Sequence, residues 1–264
     1  MKKKTKKVLV KSKIAYVLGG LGLLGKEISD QLLKERIKVI ILDIKEKPKK
    51  ARHGVKYEKF DLTNLDEIEN NINKVIKNNG CPDIFINASY PRTLDWKNSN
   101  FKKLKLKSLM ENVNIHMNSS AWVGILIANL MRKKNKKGSI IFLNSIYGIL
   151  GQDLNIYKGT KMEPNPIYSL IKGGLNTFSK NMASYYGQYG IRINTIISGG
   201  IEGHIAGSKN KQSSRFKNNY SKKTFLKRLA KPQEIARGVV FLSLDKSSYI
   251  TGSNLVIDAG WSAT

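Results

Sequence analysis

The chain has 264 residues, a length that predicts one or two domains. Of these residues 41% are hydrophobic and 25% are charged, a composition that is typical of globular proteins and argues against disorder. The 47 basic and 19 acidic residues give a formal net charge of +28. Cys81 is the single cysteine, so an internal disulfide is excluded, and with only three histidines a thiolate zinc site is excluded as well. We therefore expect no metal, and a protein suited to a reducing compartment.

The positive charge would suit nucleic acid, anionic lipid or a phosphorylated substrate. However, 39 of the 47 basic residues are lysines, and they are spread along the whole chain together with many Asn and Ile residues. Nucleic-acid surfaces rely on Arg for bidentate contacts. A compositional bias explains this distribution better, so the charge by itself identifies no partner and favours no nucleic acid.

Residues 1–12 form a basic N-terminal extension, and the apolar run at 14–25 follows it. Together they imitate the start of a signal peptide, but no small-residue cleavage site follows. The next apolar run, at 121–131, is about half as long as a membrane span requires. We expect a soluble cytoplasmic protein with no membrane partner.

Short apolar runs alternate with amphipathic stretches along nearly the whole chain. Apolar runs predict strands at 14–18, 39–42, 84–86, 139–143, 191–197 and 254–257, and helical spacing predicts helices after Gly25 and at 66–77, 109–131, 167–186 and 232–242. Strands that are apolar on both faces and alternate with helices form a parallel sheet covered on both sides. We predict a single doubly wound α/β (Rossmann) domain over 13–264, with a basic loop or helical lid at 202–231.

The turn between the first strand and the first helix reads Gly20-Leu21-Gly22-Leu23-Leu24-Gly25 and is preceded by Gly19. A G-x-G-x-x-G pattern in this position is typical of dinucleotide binding. Without a Cβ, the glycines let a pyrophosphate lie against the backbone N–H groups of Leu23 and Leu24 at the helix N-terminus. The alternative is a glycine turn that only packs the strand on the helix.

Asp43 ends the second predicted strand, 18 residues after Gly25. An acid at this point accepts hydrogen bonds from the adenosine ribose in dinucleotide-binding folds. Its negative charge would repel a 2′-phosphate, so the sequence favours NAD(H) over NADP(H). Lys45 and Lys47 follow closely and weaken that preference.

Two tyrosine–lysine pairs have the i, i+4 spacing that places both side chains on one helix face, Tyr157/Lys161 and Tyr168/Lys172. A nearby ammonium lowers the pKa of a tyrosine and lets it act as an acid or base near neutral pH. Gly159 and the two prolines that follow predict a loop around the first pair. Tyr168 opens a stretch free of proline, so we predict that Tyr168 is the acid–base and that Lys172 lowers its pKa.

These motifs together resemble the short-chain dehydrogenase/reductase family over residues 13–264. Further matches are Asp61-Leu62, Asn87-Ala88-Ser89, the segment 196–201, and the stretches 228–236 and 249–261. Leu18 and Leu23 stand where the family has Thr and its middle Gly, so the pyrophosphate loop is expected to differ in detail. The resemblance implies that Lys172 holds the nicotinamide ribose and that the cofactor also contacts Asp61, Leu62, Asn87, Ala88, Ser89, Gly199 and Ile201. For Asn87, a purely structural cap is an equal alternative.

The resemblance also implies roles for Ser145 and His116. Ser145 follows the strand at 139–143, where the family places a serine that hydrogen-bonds the reacting oxygen. It precedes Tyr168 by 23 residues, more than most members have, so residues 153–164 are expected to form a loop beside the active site. His116 stands where the family has a catalytic Asn. It would either relay a proton to Lys172 through water, with a pKa near neutrality, or only pack within its helix.

The substrate is suggested by a shorter resemblance. Ser145-Ile146-Tyr147-Gly148 and the insertion after it are similar to a branch of the family associated with flagellin modification and nonulosonic-acid sugar biosynthesis. Residues 203–233 include nine basic residues and no acid, a composition that favours a phosphorylated or nucleotide-linked sugar unless it only reflects the general abundance of lysine.

We therefore predict a homo-oligomer, a dimer or tetramer, that interconverts an alcohol and a ketone of a small-molecule substrate with NAD(H). One alternative is a basic nucleic-acid-binding protein that uses the fold without catalysis. Another is a sugar-nucleotide epimerase or dehydratase that retains its NAD and uses the same residues.

Overall fold

The computed structural model describes residues 12–204 and 211–263, so most of the predicted N-terminal extension and lid residues 205–210 lie outside the described residues. In the described part, seven strands form one parallel sheet: β1 Ile14–Leu18, β2 Lys38–Asp43, β3 Val55–Lys59, β4 Ile84–Asn87, β5 Gly138–Ser145, β6 Ile191–Ser198 and β7 Asn254–Ile257. The strand order is β3-β2-β1-β4-β5-β6-β7. This order has a switch point between β1 and β4, where ligands bind in doubly wound folds.

Helices cover both faces of the sheet. Over the described ranges the α-helices are α1 Leu23–Lys34, α2 Ile68–Asn79, α3 Leu106–Asn112, α4 Ser119–Lys133, α5 Pro166–Tyr186, α6 Ser214–Lys223 and α7 Pro232–Ser243. The helices α1 and α7 pack on the face that carries Val17, while α2, α4 and α5 pack on the face that carries Tyr16. The doubly wound α/β fold is thus confirmed. None of these helices has the combined length and hydrophobicity to span a bilayer.

Two elements differ from the prediction. The strand β3 has no predicted counterpart, because it lies at the sheet edge, is only partly buried, and alternates polar with apolar residues instead of forming an apolar run. The helix predicted at 109–131 begins at Leu106, and the π-helical turn Val113–Asn118 separates α3 from α4. Turns of this kind inside helices are frequent at functional sites.

Candidate active site

Several strand ends meet at one edge of the sheet. The parallel register pairs Leu18 of β1 with Leu42 and with Asn87, and pairs Ser145 of β5 with Ser198. This register brings the predicted cofactor residue Asp43 and the predicted catalytic residue Ser145 to the same edge. Ligands of open α/β sheets bind along this edge.

The glycine-rich turn is held by close backbone contacts that exclude larger side chains. Gly19 has a φ of +74°, and a Cβ there would lie 2.7 Å from the Cα of Ser89. A Cβ on Gly25 would lie 2.3 Å from the carbonyl oxygen of Gly19. Gly19 therefore lets the turn pack against the Ala88–Ser89 backbone after β4, and Gly25 lets the first turn of α1 pack against the glycine turn.

The start of α1 fits the pyrophosphate of a dinucleotide. Gly22 is exposed and forms the N-cap of α1, which has no side-chain cap and no acid in its first turn. The N–H groups of Leu23 and Leu24 have no acceptor within the helix, as is general for a first turn. Unpaired N–H groups beside an exposed glycine suit an anion.

Asp43 is fixed at the end of β2. The side chain is 8% exposed, and its carboxylate accepts hydrogen bonds from the backbone N–H groups of Leu21, at 2.9 Å, and Lys45, at 3.0 Å. A carboxylate has about four acceptor sites, so it retains capacity for two ribose hydroxyls. Asp43 borders a cavity of about 260 Å³, which is also lined by Tyr57, Glu46, Glu58, Lys45, Lys47 and Lys59.

The next predicted cofactor residues have local partners. Asp61 and Leu62 do not line the cavity beside Asp43. Oδ1 of Asp61 accepts hydrogen bonds from the N–H and hydroxyl of Thr63, at 2.8 and 2.7 Å, and Leu62 is buried in the core. Oδ1 of Asn87 accepts hydrogen bonds from the N–H and hydroxyl of Ser89, at 3.1 and 2.6 Å. These contacts support the structural interpretation of Asn87, and the cofactor contacts of these residues stay predictions.

Tyr168 and Lys172 lie in the first two turns of α5, next to the end of β5. Lys172 is almost completely buried, and its Nζ donates a hydrogen bond to the carbonyl oxygen of Leu143 at 3.2 Å. The same Nζ lies 5.7 Å from the centre of the Tyr168 ring. Nδ2 of Asn144 donates to the carbonyl oxygen of Lys172 at 2.8 Å, which ties the strand end that carries Ser145 to the helix.

The second tyrosine–lysine pair does not lie on a helix. Tyr157 ends the 3₁₀ turn Leu154–Tyr157. Gly159 has a φ of +70°, in the left-handed region, so the chain changes direction before Lys161. The predicted loop is confirmed. The spacing of Tyr157 and Lys161 therefore gives them no common helix face.

Burial shifts the pKa values of the Tyr168/Lys172 pair in opposite directions. It raises the pKa of Tyr168, and a hydrogen bond with Ser145 opposes this only in part. Burial lowers the pKa of Lys172 to about 8. Burial therefore holds the pKa of Tyr168 above its ordinary value in the protein without its cofactor. The lowering of this pKa by Lys172 together with the charge of the oxidised nicotinamide stays a prediction.

His116 lies in the π-helical turn and is 1% exposed. Its ring contacts that of Tyr90 edge to face, with 5.1 Å between ring centres, and its Nδ1 has no hydrogen-bond partner among the described residues. Burial, and to a lesser extent the charge of Lys172, lower the pKa of His116 well below its usual value. The expected pKa near neutrality is therefore wrong, and His116 is a neutral imidazole with one donor and one acceptor nitrogen.

Three aromatic rings that the sequence argument did not identify surround Tyr168. The ring centres of Tyr90, Trp96 and Tyr147 lie 5.8, 6.4 and 6.4 Å from that of Tyr168. Tyr90 and Trp96 belong to the loop after β4, and Tyr147 belongs to a 3₁₀ turn directly after Ser145. The sequence could have identified these residues by their position, because the loops after the carboxyl ends of parallel strands carry ligand sites.

The predicted insertion at 153–164 packs against α6 of the lid. Asp153 forms an ion pair with Lys223 at 3.0 Å, and Nδ2 of Asn219 donates to the carbonyl oxygens of Ile156 and Lys158 at 3.2 and 2.9 Å. Ile156 is buried in one apolar cluster with Phe216 and Tyr220 of α6. Residues 153–164 and α6 thus form one unit, here termed the insertion–lid wall.

The segment with the predicted nicotinamide contacts Gly199 and Ile201 connects β6 to the lid. The N–H of Gly200 donates to the hydroxyl of Tyr220 at 2.6 Å, and Ile201 forms a bridge with Ala230. A Cβ on Gly203 would lie 2.7 Å from a methyl carbon of Leu23. The chain therefore passes from the end of β6 to the start of α1, between the Tyr168 end of the site and the glycine-rich turn.

The chain is similar to known proteins over nearly its whole length. Residues 23–262 match a family model described as enoyl-(acyl carrier protein) reductase. The chain is 28% identical to Post-translational flagellin modification protein A of Campylobacter coli, over 96% of this chain and 99% of that protein. It is also 28% identical to 3-oxoacyl-[acyl-carrier-protein] reductase FabG of Buchnera aphidicola, over 95% of this chain and 98% of that protein. A solved short chain dehydrogenase from Leptospira borgpetersenii with bound NAD+ has a TM-score of 0.82 and 32% identity, over 95% of this chain and 93% of that chain.

Proposed function

Because the chain belongs to the short-chain dehydrogenase/reductase family, whose members are nicotinamide-dependent oxidoreductases, we propose that it interconverts an alcohol and a ketone with NAD(H) on a phosphorylated or nucleotide-linked sugar. The observation that carries this proposal is the placement of Ser145, Tyr168 and Lys172 at the strand ends that also hold the glycine-rich turn. A protein that only bound nucleic acid would have no chemical need for this set.

Each residue of the set has a proposed role. The bound nicotinamide supplies or accepts the hydride. Tyr168 donates a proton to the reacting oxygen or accepts one from it, and the hydroxyl of Ser145 orients that oxygen. Lys172 holds the nicotinamide ribose near Tyr168. His116, as a neutral imidazole beside Lys172, passes a proton between water and the Lys172 ammonium.

Two observations support the sugar substrate. The relative from Campylobacter coli is named for flagellin modification, and the lid is basic. Lys217, Lys223 and Arg228 of the lid form ion pairs with carboxylates, so only part of the lid's charge is open to a substrate phosphate. The relative's name is therefore the stronger support.

A substrate screen tests the proposal. Sugar phosphates, nucleotide sugars and 3-oxoacyl thioesters are offered with NADH and, separately, with NAD+, so that both ketones and alcohols can react, and the loss or gain of NADH absorbance is followed. Turnover of a sugar derivative supports the proposal, and turnover of acyl thioesters alone overturns the sugar substrate. No turnover together with tight, salt-sensitive binding of nucleic acid would favour the alternative of a nucleic-acid-binding protein.

We expect Asp43 to determine cofactor preference. Wild-type protein should bind NADH more tightly than NADPH, because the carboxylate accepts ribose hydrogen bonds and repels a 2′-phosphate. Asp43→Asn, which keeps an acceptor for the N–H of Leu21 and removes the charge, should narrow the ratio of the two dissociation constants by about 10- to 100-fold. Titration of intrinsic fluorescence with each cofactor measures this ratio.

The matched control for Asp43 is Asp61→Asn. Asp61 is an acid of the same region whose carboxylate caps a local turn and does not line the cavity. This variant should leave the ratio of dissociation constants near that of the wild type. Equal or tighter binding of NADPH by the wild type would refute the role of Asp43.

We also propose a homotetramer with closed symmetry. The helix α5 exposes Leu170 and Tyr185, half accessible at 49% and 50%, and the edge strand β7 exposes Val256 at 40%. Exposed apolar side chains on a helix and on a sheet edge suit contacts between copies. Light scattering at micromolar concentration should give the mass of a tetramer, and a monomeric mass would contradict the proposal.

A further inference from the structure

Arg92 lies in the loop after β4 and differs from the other arginines in its partners. All eight arginines of the chain lie among the described residues, and four of them are half-buried. Three of these four donate hydrogen bonds to a carboxylate, a tyrosine hydroxyl and backbone carbonyl oxygens, respectively: Arg52, Arg132 and Arg192. Arg92 is the fourth, and it forms neither an ion pair nor a hydrogen bond with any described residue.

The chemistry of a guanidinium shows what Arg92 lacks. The group carries five N–H donors in one plane, and half-burial separates part of it from water. The Cζ of Arg92 lies 5.9 Å from the centre of the Tyr90 ring, whose face attracts a cation but accepts no conventional hydrogen bond. The planar set of donors matches the oxygens of a phosphate. Arg92 thus retains the capacity to bind an oxyanion.

Carboxylates of the neighbouring segments have other partners. Asp95, in the same loop as Arg92, accepts a hydrogen bond from a threonine hydroxyl. In the insertion, Asp153 forms an ion pair with a lysine of the lid, and Glu163 accepts a hydrogen bond from an asparagine amide of the loop after β4. An anion that pairs with Arg92 therefore has to come from a bound molecule.

The backbone on both sides of Arg92 is fixed. On one side, the Tyr90 ring packs edge to face against two further rings, with 5.9 and 5.1 Å between ring centres. On the other side, the N–H of Thr93 donates to Oδ1 of Asn112 at 3.0 Å, and Nδ2 of Asn112 donates to the Thr93 hydroxyl at 2.7 Å. Asn112 is completely buried in α3. A fixed backbone reduces the entropy that Arg92 loses when it binds a ligand.

Arg92 also lies close to the residues proposed for hydride transfer. The centre of the Tyr90 ring lies 5.8 Å from that of Tyr168 and 5.9 Å from Nζ of Lys172. The Cζ of Arg92 is therefore no farther from the Tyr168 ring centre than the Arg92–Tyr90 and Tyr90–Tyr168 distances taken together. Both Arg92 and Tyr168 are partly exposed, so one molecule can reach both from solvent.

We propose that Arg92 binds a phosphate group of the substrate and so selects phosphorylated sugars over unphosphorylated ones. This inference rests on the proposed oxidoreductase function. Arg92 is a specificity-determining residue in it, and neither the hydride nor the proton passes through Arg92. The lid is then not the only source of positive charge for a substrate phosphate.

A matched pair of ketones tests the role of Arg92: D-ribulose 5-phosphate and D-ribulose, which differ by one phosphate. Wild-type protein with NADH should favour the phosphate in kcat/KM. Arg92→Gln should reduce this preference by about 10- to 100-fold, the usual effect of losing a charge-assisted hydrogen bond. Arg92→Lys should retain part of it, because the charge remains and the planar set of donors is lost.

The matched control is Lys97→Gln, which makes the same change of charge at an exposed residue of the same loop. This variant should keep the wild-type preference. Any difference between the two sugars in their content of open-chain ketone cancels, because the same sugars are compared in every variant. If Arg92 only supports Tyr90, Arg92→Gln lowers kcat/KM for both sugars alike, and an unchanged preference overturns the inference.

Binding measurements separate this inference from the proposed function. If neither sugar is reduced, saturation-transfer NMR of both on the protein with NAD+ decides the role of Arg92. Tighter binding of the phosphate that Arg92→Gln removes supports it, and equal binding of the two sugars by the wild type overturns it. The proposed oxidoreductase function fails separately, when no compound of the substrate screen is turned over.

Two further ligands identify the source of the phosphate. Dissociation constants of glucose 6-phosphate and UDP-glucose for the wild type and Arg92→Gln distinguish a phosphate monoester from a nucleotide diphosphate. The affinity for at least one of them should fall by about 10- to 100-fold in Arg92→Gln. Unchanged affinities for both would contradict a phosphate site at Arg92.

Discussion

Tyr168→Phe should reduce turnover by about 10²–10⁴-fold, the usual effect of losing a proton-transfer group, and should leave the dissociation constant for NADH nearly unchanged. The change removes only the hydroxyl oxygen, and the ring remains to pack against Tyr90, Trp96 and Tyr147. Because burial raises the pKa of Tyr168, the hydroxyl is protonated at neutral pH and ready to donate to a ketone. Initial rates of NADH oxidation and fluorescence titration measure the two quantities.

Tyr157→Phe is the matched control, because it removes the same atom from the other tyrosine–lysine pair. The Tyr157 hydroxyl donates to Gln152, and Tyr157 lies in the insertion–lid wall and not on α5, so it would affect substrate binding only where this wall contacts the substrate. We expect a much smaller loss, mainly an increase in KM. Loss of turnover in Tyr157→Phe together with normal turnover in Tyr168→Phe would show that the acid–base residue has been assigned to the wrong tyrosine and that α5 is not the catalytic helix.

The parts of the fold that the sequence predicts are those set by local patterns. β1 and β7 have the same bounds in the structure as in the prediction, because an apolar run between turns is visible in a few residues. β3 is half exposed at the sheet edge, and its pairing with β2 depends on residues distant along the chain. The π-helical turn leaves no mark on hydrophobic spacing, since the residues on both sides keep their buried face.

The same distinction holds in the candidate site. Tyr168 and Lys172 could be paired from the sequence because one helical turn separates them. The shifts of their pKa values could not be predicted from the sequence, because desolvation depends on the residues that cover the pair, including aromatic rings from the loop after β4. The placement of the Tyr147 ring beside Tyr168 and against the insertion–lid wall is likewise visible only in the folded chain.

Lys172→Met should abolish most turnover, by about 10²–10⁴-fold, because it removes the group that links Tyr168 to the nicotinamide ribose and to the proton path. It should also weaken NADH binding, which Tyr168→Phe should not. Steady-state rates with both NADH and ketone varied separate the two effects. Unchanged NADH affinity in Lys172→Met would contradict the proposed contact with the ribose.

The same substitution should leave the protein as stable as the wild type at pH 7, or make it more stable. Moving the pKa of Lys172 from 10.5 to about 8 means that folding with the ammonium charged costs about 3 kcal/mol, which Met avoids. Met also leaves the carbonyl oxygen of Leu143 without the hydrogen bond from Nζ, and this loss offsets about 1–3 kcal/mol of the gain in stability. A marked loss of stability at pH 7 would show that the charged lysine is well solvated.

The pH dependence of stability tests the desolvation of Lys172 directly. Between pH 8 and 10.5 the unfolded chain holds a proton on this lysine that the folded protein has released, so wild-type stability gains with rising pH relative to Lys172→Met. The difference between their free energies of unfolding should therefore shift in favour of the wild type by up to about 3 kcal/mol over this window and stay constant below it. Denaturant unfolding at pH 7 and pH 10 measures the shift, because other titrating groups cancel in the difference. Lys180→Met provides the control on the same helix, since Lys180 is exposed and water already solvates its charge. An equal shift for both lysines would mean that burial in the site is not its cause.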